Sequence, residues 1–237
     1  ANAALYARKL MHYCSNELDG GSGGGSGRGT AAGASIDPSA ILARAYDRTM
    51  ADAVEEKFVG SSTALLAVLT NGDELRVTNL GDCGIAVIRD GELVFRSEEQ
   101  QHSFNYPYQL GTAAHDTPAD AQYFKMHVQH GDIVVMASDG IFDNLFDEEM
   151  LAIVRTVVGW PSVSTMGSIA EAIVARAREA ADDSRGASPF ASRAMREGLY
   201  YQGGKVDDVA VVVGVVRDPA RLMRGVTRSS RISQSNR

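Results

Sequence analysis

The chain has 237 residues, of which 44% are hydrophobic and 22% charged, ordinary values for one globular domain. Its formal net charge of −7 argues against a nucleic-acid binder, and no run of eighteen apolar residues offers a membrane span. Two cysteines, Cys14 and Cys83, are too few for a disulfide framework; they read as small buried hydrophobes in a reducing compartment.

Leu5, Leu10, Met11, Cys14 and Leu18 recur at helical spacing and predict an amphipathic helix from about Asn2 to Leu18. Residues Gly20–Gly29 are almost entirely Gly and Ser, the composition of a flexible linker, so 20–36 is expected to be a surface insertion between two helices. The second helix opens at Asp37-Pro38, an N-cap followed by a first-turn proline, with Ile41, Leu42, Ala45, Tyr46 and Met50 on its inner face.

The period then changes to that of strands. Ser62–Leu69 and Glu74–Leu80 flank Asn71-Gly72, and Ile85–Arg89 and Glu92–Arg96 flank Asp90-Gly91, two hairpin signals. Tyr123–Gln129 and Ile133–Ala137 flank His130-Gly131-Asp132 and predict a third hairpin. Helices return at about Asp147–Val158 and Gly167–Asp182. The last strand, Val209–Val216, is apolar nearly throughout and is expected to be central. Residues 217–237 hold six Arg and one Asp, a net of +5 that leaves −12 on the rest, and are expected to form a disordered basic tail.

Hairpins between helices do not make a doubly wound parallel sheet. The expected fold class is α+β: two antiparallel β-sheets packed as a sandwich, with helices on both outer faces in four αββα layers.

The chemistry lies where aspartates bound these strands. Glu74–Leu80 runs into Gly81-Asp82, Ile133–Ala137 into Ser138-Asp139-Gly140, and the final strand opens at Asp207-Asp208. A buried carboxylate without a partner costs several kcal/mol (roughly 3–5), so such groups need a cation or many donors. Carboxylates clustered without thiolates or imidazoles select hard cations, Mg²⁺ or Mn²⁺ ahead of Ca²⁺. Taken singly, an Asp beside a Gly is ordinarily a turn residue, as at Asp90-Gly91.

Four segments then follow in order: Gly60-Ser61-Ser62-Thr63-Ala64, Asn79-Leu80-Gly81-Asp82-Cys83-Gly84, Ala137-Ser138-Asp139-Gly140-Ile141-Phe142-Asp143-Asn144, and Asp207-Asp208-Val209-Ala210-Val211-Val212. Together they resemble the successive motifs of the 2C-type metal-dependent protein phosphatases, and the likeness runs from about Ala4 to Val216. Residues Arg96 to Gly111 resemble the compact branch of that family, which has many mitochondrial members. The resemblance implies that Asp139 and Asp207 hold a central metal pair, that Asp82 serves a third, weaker ion, and that Asp208 stands behind the ligands. It further implies hydrolysis of phosphoserine and phosphothreonine in proteins by a metal-activated water, with Mg²⁺ or Mn²⁺ and no phospho-enzyme. A monomeric catalytic domain over 1–216 is expected, mitochondrial by branch and otherwise cytoplasmic.

The family's Asp-Gly motif, which carries the ligand shared by both metals, precedes the first helix, and this sequence has none there. A chain that begins at that helix is expected to bind metal poorly. The alternative is a catalytically inactive member that keeps the fold as a binding or scaffold protein. An aspartyl-phosphate enzyme would need an Asp-x-Asp after an early parallel strand, which is not seen. His12, His102, His115, His127 and His130 lack metal-ligand spacing; His102 is a candidate substrate contact, and His127 and His130 read as turn residues. Trp160-Pro161 and Phe190 read as packing or loop anchors, and 184–196 as a loop and short helix beside the site.

Overall fold

A computed structural model describes residues 3–18, 36–70, 72–156 and 163–218. The Gly/Ser-rich stretch, Trp160-Pro161 and nearly all of the basic tail therefore lie outside the described residues. The elements are α1 (Ala3–Leu18), α2 (Pro38–Glu55), β1 (Ser61–Ser62), β2 (Ala64–Thr70), β3 (Glu74–Leu80), β4 (Gly84–Arg89) and β5 (Glu92–Arg96). There follow β6 (Gln101–Ser103), β7 (Tyr106–Pro107), β8 (Leu110–Gly111), β9 (Gln122–His127), β10 (Ile133–Ala137), α3 (Asp139–Phe142), α4 (Asp147–Arg155), α5 (Val163–Asp182), α6 (Pro189–Arg196) and β11 (Val211–Val215). The order is the expected mixture of α and antiparallel β. The described residues form two compact units, one from those within 1–84 and 97–126, the other from those within 85–96 and 127–237.

In the first unit a sheet of order β2-β3-β9 carries α1 and α2. The stripe that α1 buries is Tyr6, Leu10 and Cys14, spaced four apart, while Met11 and Leu18 stay exposed. These side chains meet Ile41, Leu42 and Ala45 of α2, and Ala64 and Leu80 of the sheet. Burial pushes the Cys14 thiol up to about 11, which removes it as a nucleophile. Asp37 caps α2 by accepting from Ser39 N at 3.0 Å. Lys9 joins the helices through Asp52 at 2.6 Å and Glu56 at 2.7 Å. The β2/β3 hairpin runs in register from Ala64 opposite Leu80 to Thr70 opposite Glu74.

In the second unit the sheet order is β11-β10-β4-β5, backed by α3, α4 and α5. The β4/β5 hairpin turns at Asp90 and Gly91, with φ of 52° and 79°, the left-handed pair that a two-residue turn requires. Ile88, Val135, Ile141, Met150 and Ile173 form the centre of its core.

Two expectations fail here. Tyr123–Gln129 and Ile133–Ala137 do not make a hairpin: β9 pairs with β3, whereas β10 lies between β11 and β4. Asp132 is the reason. Its buried carboxylate accepts from Gln129 N at 2.7 Å and takes both Nε and Nη2 of Arg89 on β4, at 2.8 and 2.7 Å. Gly131 N and Asp132 O bond Val216, so the corner is tied to the end of β11 and to β4. The other failure is β11 itself, which is an edge strand among the described residues. Val211, Val213 and Val215 pack on the core while Val212 is 65% exposed, so the apolar run reflects one covered face.

Two measurements check this packing. Asp132→Ala should cost about 3 kcal/mol in urea unfolding, since it strands Arg89 beside a buried corner. Glu74, held by Lys125 at 2.7 Å and by Arg76 at 2.6 Å, has its carboxyl lowered from 4.5 to about 2. A depressed carboxyl stabilises the fold above its unfolded value and loses that contribution as pH falls through the folded one. Glu74→Gln should therefore flatten the stability loss between pH 4.5 and about 2 in acid titrations.

Candidate metal centre

The site is assembled within the second unit from the end of β10, α3 and the segment leading into β11. Asp139 opens α3, and Asp143 follows four residues later, one helical turn on and therefore on the same face. Gly140 sets how close the next segment comes, because a β-carbon there would land on the Asp208 carbonyl. Ser138 Oγ donates to that carbonyl at 3.3 Å and accepts from Ala210 N at 3.1 Å. Asn144, fully buried, completes the attachment. Its amide donates to Gly140 O at 2.9 Å and Lys205 O at 2.8 Å, and its oxygen accepts from Lys205 N at 2.9 Å.

Asp139, Asp143 and Asp207 each thereby offer a carboxylate oxygen within 4.8 Å of the other two. Lys205 Nζ lies among them, 2.8 Å from Asp139, 2.7 Å from Asp143 and 3.1 Å from Asp207. Arg193 of α6 pairs with the other oxygen of Asp143. The helix is placed by Ser188, which accepts from Ala191 N at 3.0 Å and donates to Gly203 O at 2.7 Å. Phe190 N bonds Asp143 O at 3.0 Å, and the Phe190 ring is buried edge-on against Tyr201.

Burial works against the Lys205 charge, but the hydrogen bonds it donates to Asp139 and Asp143 outweigh it and hold the ammonium above the ordinary lysine range. Burial likewise pushes the Asp143 carboxyl up, against the pull of Lys205 and Arg193. A cation is bonded directly to each oxygen of Asp143, Arg193 to one and Lys205 to the other.

The donor set fits a hard divalent ion. All three ligand atoms are carboxylate oxygens, no thiolate or imidazole among the described residues joins them, and they already converge on one positive charge, that of Lys205.

Of the aspartates singled out from the sequence, the fold brings Asp139 and Asp207 together. Asp208 contributes through its backbone: its N–H donates to Asp207 Oδ1 at 2.8 Å, while its side chain is exposed. Asp82 belongs to the other unit and is buried after β3, where Gly81 adopts a φ of 105° against Thr63 and the Tyr108 carbonyl. Asp143, Lys205 and Arg193 were not anticipated. Asp143 could have been found from its i+4 spacing to Asp139; nothing local marks the other two. His102, also in the first unit, pairs with Asp116 at 2.9 Å and stacks on Tyr108 at 3.8 Å, beside a cavity of about 590 Å³.

Antiparallel sheets under helices carry strand-end aspartates gathered at one cation position, the arrangement of a site for a hard divalent ion. The family described as Stage II sporulation protein E (SpoIIE) matches residues 28–213. The chain is 40% identical over 219 residues to "Probable protein phosphatase 2C 80" of Arabidopsis thaliana, covering 91% of this chain and 48% of that protein. The photosystem II phosphatase PBCP is similar in structure, with a TM-score of 0.76 at 30% identity over 92% of this chain and 81% of that one. The catalytic domain of the serine/threonine phosphatase PstP, solved with two manganese ions, shares the fold: TM-score 0.62 at 18% identity, over 91% of this chain and 82% of that one. The chain belongs to the SpoIIE family and has the fold of the 2C-type protein phosphatases. It spans about half the length of the curated relatives it matches first.

The close approach at Gly140 is testable against a second glycine. Gly140→Ala should destabilise the fold by about 2 kcal/mol in chemical unfolding, because its methyl meets backbone that cannot yield cheaply. Gly167→Ala, in α5 with open space around it, should stabilise by about 0.5–1 kcal/mol.

Proposed function

We propose that the protein hydrolyses phosphoserine and phosphothreonine in phosphoproteins, with Mg²⁺ or Mn²⁺ held by Asp139 and Asp207 and joined by Asp143. The observation that supports this most is the convergence of three carboxylates on one cation position, at the junction of β10, α3 and the entry to β11. The manganese pair in PstP and the phosphatase names of the relatives support it further. Asp82 is proposed for a third, weaker ion. No residue of this geometry favours the scaffold alternative.

A bound divalent ion would activate water and offset charge on the phosphoryl oxygens. The chain's own residues do the rest. Asp139, Asp143 and Asp207 fix where that charge sits, and Asp208 N and Gly140 N orient Asp207 and Asp139 through bonds to their Oδ1 atoms. Asn144 holds the two chain segments in register. We also read 1–216 as the catalytic domain, with 20–36 an insertion and 217–237 a basic tail, and take the protein as a monomer of the mitochondrial branch. No described helix is long and apolar enough to cross a membrane.

In the protein with the family's Asp-Gly motif in place, phosphopeptide turnover should require added Mn²⁺ or Mg²⁺ and stop in EDTA. Asp139→Ala and Asp207→Ala should each lower kcat at least about 100-fold while the fold survives, and Asp90→Ala, in its remote turn, should leave kcat unchanged. Full turnover in excess chelator, or equal damage from Asp90→Ala, would overturn the reading.

A further inference from the structure

Resting on that reading, we propose that Lys205 is a built-in competitor of the divalent ion: its ammonium holds the position where the three carboxylates converge, and an incoming ion must displace it. Nζ donates hydrogen bonds to Asp143 at 2.7 Å and Asp139 at 2.8 Å and forms an ion pair with Asp207 at 3.1 Å. The ammonium therefore does what an ion would do, cancelling mutual repulsion among carboxylates crowded within 4.8 Å.

The arrangement allows the exchange without unfolding anything. Both backbone polar groups of Lys205 are fixed by Asn144, so the four-carbon arm can swing out while the chain stays in place. The Phe190 ring, 5.2 Å from Nζ, is within cation–π range of the ammonium. Arg193 is a different case. It holds the Asp143 oxygen that Lys205 leaves free, so Asp143 keeps one cation when the lysine departs. A lysine is a compact point charge on a flexible stem, suited to being replaced by another point charge; a guanidinium is not. The residue would thus set the metal concentration at which the site fills, while keeping the empty site folded.

The test uses Lys205→Met and Lys205→Gln in the whole chain, with Mn²⁺ titration calorimetry and melting with and without Mn²⁺. Removing a competitor should tighten Mn²⁺ binding at least about tenfold, since two charge-assisted hydrogen bonds and an ion pair no longer have to be broken. The same variants should melt at lower temperature without metal and recover more than the wild type when Mn²⁺ is added. A purely structural lysine would instead weaken both binding and stability. Adding Asp139→Asn to Lys205→Met should abolish the binding heat, which locates the ion at these carboxylates. If the wild type binds Mn²⁺ and neither Lys205 variant binds it more tightly, the competitor role is wrong and the metal site stands. If no variant binds Mn²⁺ at all, both fall.

Discussion

Three carboxylates held within 4.8 Å of one another are the constraint on which the site depends. Left alone they would repel, and Asp143, with 3% of its surface exposed, has little water to screen it. The fold answers with two cations brought from separate stretches of chain, Arg193 from α6 and Lys205 from the approach to β11. Much of the surrounding hydrogen bonding fixes where those cations arrive. Ser188 starts α6 at the right place, Asn144 holds the backbone of Lys205, and Ser138 with Gly140 lets Asp208 come close.

The hydrophobic core beneath carries this arrangement. Ile141 and Phe142, on the apolar side of α3, belong to the same cluster as Val135 of β10 and Ile173 of α5. The one-turn helix is too short to be stable by itself, so its position comes from this packing. Asp139 and Asp143 face the opposite way for the same reason: a helical turn that buries residues 141 and 142 presents residues one turn apart on its other side.

Much of this was legible in the sequence, because local rules suffice for much of it. Asp37-Pro38 marked the start of α2, Asp90-Gly91 marked a tight hairpin, and strand-end aspartates pointed to Asp139 and Asp207 as neighbours. What was missed depends on partners remote in sequence. Asp132 looks like a hairpin turn residue until Arg89, 43 residues away, takes its carboxylate and redirects the chain. The valines of β11 cannot say whether a second strand covers them, since one buried face and a short apolar run look alike in composition. On α1, Tyr6 is fully buried and Met11 is not, a choice made by the position of α2. Arg193 lies 50 residues from Asp143 and Lys205 lies 62, with no pattern joining them.

Asp132 and the acidic trio show two ways of satisfying a carboxylate beneath the surface, and the difference separates scaffold from site. Asp132 is 1% exposed and held by two parallel bonds from one guanidinium, with a backbone N–H on the same side chain. That geometry is directional and saturates the acceptor, so nothing else can enter without breaking the corner. Asp139 and Asp207 keep about a quarter to a third of their side-chain surface open, at 24% and 32%. Each shares a single ammonium that is not bound to either in a forked pair. An acceptor with free lone pairs, partial exposure and a mobile counter-charge is a place where another cation can bind. The second unit thus contains one carboxylate whose partners are locked and a trio whose partner can be exchanged. The locked carboxylate precedes β10, and the exchangeable set gathers where β10 runs into α3.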